Sequence, residues 1–107
     1  MQTEKAKPKF SGSYTIIGLP DGYTVNIFEV NQTSYNVRGM LQLNHEGKKL
    51  DYSVEGDNFV PNVKLTFTST GDNTFSFEGM FDDDGNVKGF LNGQFIGDVK
   101  LQKPSRH

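Results

Sequence analysis

The chain has no cysteine and no tryptophan, and only 4 prolines and 2 histidines among its 107 residues. Without cysteine there is neither disulfide nor thiolate, which excludes thiol catalysis and thiolate metal sites but leaves the compartment open. No run approaches the ~18 apolar residues of a membrane helix, so no membrane span is expected. The histidines, His45 and His107, stand outside any Gly-x-Ser-x-Gly or His-Glu-x-x-His spacing, and no pattern supplies a nucleophile with its base. The expectation is a protein that is not an enzyme and that carries no cofactor. Also missing is any segment with the 3.6-residue apolar period of a helix.

A chain of this length makes one domain, able to bury roughly 65% of its unfolded surface and to fold without staples. Charge is unevenly spread. The body from Phe10 to Gln102 keeps 6 of the 11 basic residues and 12 of the 13 acidic ones, a net of −6. Nucleic-acid binding draws most of its affinity from Lys and Arg on phosphates, so an acidic body argues against that partner. Residues 1–9, "MQTEKAKPK", carry lysines and a proline without apolar periodicity and are expected to be a flexible tail. Residues 10–103 are expected to be a single barrel domain, and 104–107 a C-terminal tail.

What is abundant is alternation. In "SYNVRGMLQL" the residues Tyr35, Val37, Gly39, Leu41 and Leu43 share one face, the period of a half-buried strand. The same phase places Tyr23, Val25 and Ile27 inward, then Leu50, Tyr52 and Val54, then Val63, Leu65 and Phe67. It continues through Phe75, Phe77 and Phe81, through Val87, Leu91 and Phe95, and ends at Val99 and Leu101. With "FSGSYTIIG" at the start, about eight strands are predicted, joined by turns such as "PDG", "HEG" and "DDDGN". Short loops leave no room for crossovers, so the predicted fold is all-β: an antiparallel up-and-down meander closed, or nearly closed, as a small barrel. Glycines on the inward rows, at 12, 39, 56, 79, 89 and 93, suit tight curvature.

Two segments repeat. "YNVRGM" (35–40) matches "FSFEGM" (75–80), and "NFVPNVKL" (58–65) matches "QFIGDVKL" (94–101). The hairpin between the paired segments is two residues per arm shorter in the second copy than in the first, which keeps every side chain on its own face. The repeat gives an account of "FDDDGN" (81–86). Those carboxylates do not have the alternation of a calcium loop, with Met80 and Leu91 where such a loop needs oxygen ligands. They fall where the first copy has "NHEGK", so they are expected to form a hairpin tip with Asp84-Gly85 making the turn, and no metal site is expected.

The remaining signal is aromatic. Nine Phe and four Tyr are present, and most fall on inward rows. Such rings either fill a barrel core or line a lumen in which tyrosine hydroxyls meet a small amphipathic ligand. The candidate ligand-binding residues are Tyr14, Tyr35, Tyr52, Phe75 and Phe77. Glu29 joins them as the one carboxylate in phase with the apolar row of Tyr23, Val25 and Ile27. Phe90 in "VKGF" is expected to point outward as a single exposed aromatic. "NQT" at 31–33 is a glycosylation sequon.

In "SGSYTIIG", Gly12 and Tyr14 open the first strand of the meander. The arrangement resembles the Gly-x-Trp start of the calycin group: lipocalins, avidins and small barrel inhibitors of bacterial metalloproteases. The resemblance implies a basic residue near the end of the last strand, Lys100 or Lys103, packed over Tyr14. It also implies one of two functions. Lipocalins and avidins bind small ligands in the barrel mouth, and the inhibitors insert an N-terminal segment into an enzyme's cleft. The expectation is therefore an exported bacterial-type, monomeric barrel that binds a small hydrophobic molecule. The alternative is a protein-binding or inhibitor module acting through its N-terminal tail or hairpin tips. An extracytoplasmic location is expected, with a leader that this sequence does not include.

Overall fold

The computed structural model describes residues 10–69 and 73–103. Among them there is no helix. The strands are β1 (Gly12–Ser13), β2 (Thr15–Ile17), β3 (Tyr23–Thr33), β4 (Asn36–His45), β5 (Lys48–Phe59), β6 (Asn62–Ser69), β7 (Thr74–Phe81), β8 (Val87–Gly93) and β9 (Gly97–Gln102). They form one antiparallel sheet in the order β1-β3-β4-β5-β6-β7-β8-β9-β2. The expected tails, 1–9 and 104–107, lie outside the described residues.

The first strand explains both the extra element and the closure. Gly12 and Ser13 pair with Val30 and Glu29 on β3, and the Tyr14 amide donates to Phe28 O at 2.8 Å. Beyond Tyr14 the chain changes partner, and Thr15–Ile17 pair with Lys100–Gln102 on β9. One predicted strand thus becomes two, which join the sheet's two ends. The result is a nearly closed barrel with one unsealed seam, where β2 parts from β3.

Alternation holds along β4 to β9. Val37, Leu41, Leu43, Tyr52, Val54, Val63, Leu65, Phe67, Phe75, Phe77, Val87, Leu91, Val99 and Leu101 are all buried. Each such side chain removed from water contributes about 1.5–3 kcal/mol.

Three inward placements are corrected. A β-bulge on β3 shifts the register between Val25, paired with Leu43, and Ile27, paired with Gln42. The extra residue, Asn26, reverses the phase, because side chains alternate with a period of two. Phe28 and Val30 are therefore buried, whereas Ile27 and Glu29 face solvent. Tyr35 is 58% exposed. It follows Ser34, which has φ 57°, in the β3–β4 turn, and its ring stacks on Phe59 at 4.9 Å.

The repeat acquires a geometry. Its copies correspond to β4–β5–β6 and β7–β8–β9, and because the meander alternates direction, their hairpin tips lie at opposite ends of the barrel. At the first tip His45 pairs with Lys48 across Glu46 (φ 52°) and Gly47 (φ 78°), the two left-handed positions of a type I′ turn. At the second, the Asp82 amide donates to Asn86 O at 2.8 Å and the Gly85 amide to Asp82 O at 3.2 Å. This is a three-residue loop in which Asp83 and Asp84 are the corners and Gly85 (φ 85°) closes it.

Candidate functional site: an apolar groove on the outer wall

The interior is filled by rings. Phe10 lies 4.5 Å from Tyr14, Tyr14 6.1 Å from Phe28, Phe28 5.8 Å from Phe67, and Phe67 stacks on Phe75 at 4.5 Å. Phe75 then meets Tyr52 at 5.1 Å and Phe95 at 4.9 Å in edge contacts. Of the residues expected at a lumen, Tyr14, Tyr52 and Phe75 are together in this column, and Phe77 is buried in the same core. Glu29 and Tyr35 are outside it, for the reasons given above.

Polar groups seal the column at both ends. The Tyr52 hydroxyl donates to Gln94 Oε1 at 2.8 Å, and burial raises its pKa above the usual tyrosine value. At the other end Gln32 Oε1 accepts from the Phe10 amide at 2.7 Å and from Asn58 Nδ2 at 2.9 Å. The Tyr14 hydroxyl is buried, and among the described residues nothing reaches it in hydrogen-bond geometry. Burial pushes its pKa up to about 12, weakly opposed by the Ser11 backbone nearby.

The outer wall is more open. Across β5 to β9 and β2 the register places Phe59, Asn62, Met80, Lys88, Lys100 and Ile17 in one outward row. The neighbouring row reads Asp57, Lys64, Glu78, Phe90 and Asp98. Phe59, Met80, Phe90 and Ile17 are 54%, 52%, 49% and 48% exposed. Phe59, Met80 and Phe90 border one groove, and Ile17 lies on the far side of Lys88 and Lys100, an exposed apolar cluster of the kind that often marks a binding surface. Phe90 is thus not a lone outward aromatic.

The patch is concave. A groove of about 570 Å³ runs between Phe59, Met80 and Phe90, and a second hollow of about 590 Å³ lies beyond Phe90, against Ile17 and Lys100. The first volume suits a small ligand, whereas the second is a shallow, nearly flat depression. Gly79 and Gly89, paired directly, make the floor. A Cβ on Gly79 would stand 2.5 Å from Lys88 O and 2.5 Å from Phe77 Cζ, and one on Gly89 would stand 2.5 Å from Gly79 Cα. Only glycine lets the two strands and the Phe77 ring approach this closely.

Electrostatics divide the two rows. Asp57, Lys64 and Glu78 alternate in sign, as cross-strand neighbours prefer. Lys88 and Lys100 face each other as like charges, and neither forms an ion pair among the described residues. Their field does reach Asp82. Desolvation opposes ionisation there, but the Asn86 and Asp84 amides and these two lysines together hold the Asp82 carboxyl below the usual carboxylate range. Asp82 Oδ1 accepts from those amides at 3.0 and 2.9 Å, so the acidic triplet organises its turn.

His45 stacks on Tyr23 at 3.9 Å, with Nδ1 3.1 Å from Gly22 O. His107 lies outside the described residues. Among the described residues no group of three or more His, Cys, Asp or Glu is placed to hold a metal, and no helix is long and apolar enough to cross a membrane.

Sequence reasoning had the phase of Phe90 but not its company. Phe59 and Met80 were legible as apolar residues out of phase with their strands. Which of them become neighbours is set by inter-strand register. No protein-family model matches this chain, and no curated protein or solved structure matches it significantly.

Proposed function

We infer that this protein is a non-enzymatic binding module whose site is the outer groove over Gly79 and Gly89, and that its ligand is a small apolar or amphipathic molecule. The observation that carries this reading is the exposed trio of Phe59, Met80 and Phe90 around a hollow of about 570 Å³, beside an interior already occupied by its own rings. Lys103 Nζ lies 5.6 Å over the Tyr14 ring, which supports placing the barrel with the calycin type. The interior aromatics on this reading hold the wall in shape, and the wall does the binding.

The test is titration with N-phenyl-1-naphthylamine, an uncharged fluorescent probe. Saturable binding that Phe90→Ser and Met80→Ser weaken, with the fold retained, supports the outer site. Binding unchanged in both variants counts against it.

A further inference from the structure

We propose that the groove selects a single-chain amphiphile with an anionic carboxylate head, the head held between Lys88 and Lys100 and the chain laid along Met80 and Phe59 beside Phe90. This rests on the binding role inferred for the groove and adds the chemical class of its ligand.

Lys88 and Lys100 stand side by side on β8 and β9. They are direct cross-strand partners, and like charges in that relation repel. No carboxylate forms an ion pair with either one among the described residues. Asp82, which feels both, carries a single negative charge, and its Oδ1 is already engaged by two backbone amides. The pair therefore keeps an excess of positive charge, in a body that is otherwise acidic. An anion placed between them removes the repulsion.

The apolar part lies in the same outward row. On one side of the pair are Asn62, Met80 and Phe59, and on the other is Ile17. Strands stand about 4.8 Å apart, so the row from Phe59 to Ile17 spans about 24 Å around the wall. Lys88, Gly89 and Phe90 border both hollows. A ligand that ends in an anion and continues as an extended apolar chain matches this order of charge then apolar surface.

The complementarity favours one free chain over a membrane surface. A lipid bilayer is attracted by a broad basic face, whereas the row beside this one carries Asp57, Glu78 and Asp98. Those carboxylates narrow the favourable path for an anion to the space between the two lysines.

The experiment compares dodecanoate with dodecanol, of equal chain length, by NMR titration of the full chain below the aggregation concentration of either. Dodecanoate is expected to bind about tenfold more tightly, the effect of two exposed charge contacts. In Lys88→Ala/Lys100→Ala that advantage is expected to vanish while dodecanol affinity stays the same. Lys88→Glu, with the charge reversed, is expected to favour dodecanol. Equal affinity of the two probes for the native protein overturns the selection of an anion and leaves the groove standing. Binding of neither probe overturns both. Dodecanoate binding that persists in the double variant also overturns the proposal, because it places the head elsewhere.

Discussion

The ammonium of Lys103 lies 5.6 Å above the ring of Tyr14, at the residue where the first strand leaves β3 and joins β9. Both ends of the described chain thus meet on one aromatic side chain, next to the unsealed seam. Among the described residues the Tyr14 hydroxyl beneath them is buried without a hydrogen-bond partner in good geometry, a state that costs about 1–3 kcal/mol.

Tyr14→Phe is therefore expected to raise stability by about 1 kcal/mol at neutral pH, measured by urea unfolding. The pH dependence has a definite sign. The folded pKa is raised from 10.0 to about 12, so the protonated form favours folding, fully below pH 10, and that stability is lost as pH climbs towards 12. The phenylalanine variant is expected to lose less stability over that interval, and identical alkaline profiles would contradict the burial of this hydroxyl.

Gly79→Ala and Gly89→Ala are each expected to cost about 3 kcal/mol or more, because the new methyl meets the neighbouring strand's backbone and, at Gly79, also the buried Phe77 ring. A loss under 1 kcal/mol by chemical denaturation would show that the floor of the groove can relax.

Asp82 gives an acid-side prediction. Its pKa is lowered from 3.8, so its contribution is complete above that value and is lost as pH falls through the lowered one. Asp82→Asn keeps an oxygen acceptor for the turn and removes the charge. It is expected to lower the melting temperature at pH 7 and to match the native protein at strongly acid pH. Calcium is expected to leave the melting temperature unchanged, and a large stabilisation would mean that the triplet binds the ion.

The bulge on β3 separates what the sequence reveals from what it hides. Deleting Asn26 leaves Tyr23, Val25, Phe28 and Val30 in one unbroken inward phase with their β4 partners unchanged, so only the local bend is lost, at an expected cost of about 1 kcal/mol. Asn26→Ala keeps the extra residue and is expected to change stability by no more than about 0.5 kcal/mol. Similar losses in both would mean that the Asn26 side chain, which donates to Gln42 Oε1 at 2.5 Å, makes the bulge.

Alternation was legible on β4 to β9 because inward residues such as Val54, Leu65 and Phe77 recur without a break. It misled at Glu29 because an inserted asparagine leaves no trace in composition: Tyr23, Val25 and Ile27 read as one row although the chain changes face among them. It misled at Tyr35 because a residue beside a turn continues the pattern of its strand without sharing the strand's geometry. The groove was the least legible feature. Phe59, Met80 and Phe90 belong to three strands, and their adjacency depends on registers that no single strand encodes.

Amide chemical-shift mapping with an uncharged probe such as dodecanol tests the proposed placement of the ligand on the outside of this barrel. The shifts are expected to concentrate on Lys64, Glu78 to Met80 and Lys88 to Phe90. Shifts concentrated instead on Tyr52, Phe75 and Phe77 would place the ligand among the interior rings and contradict it.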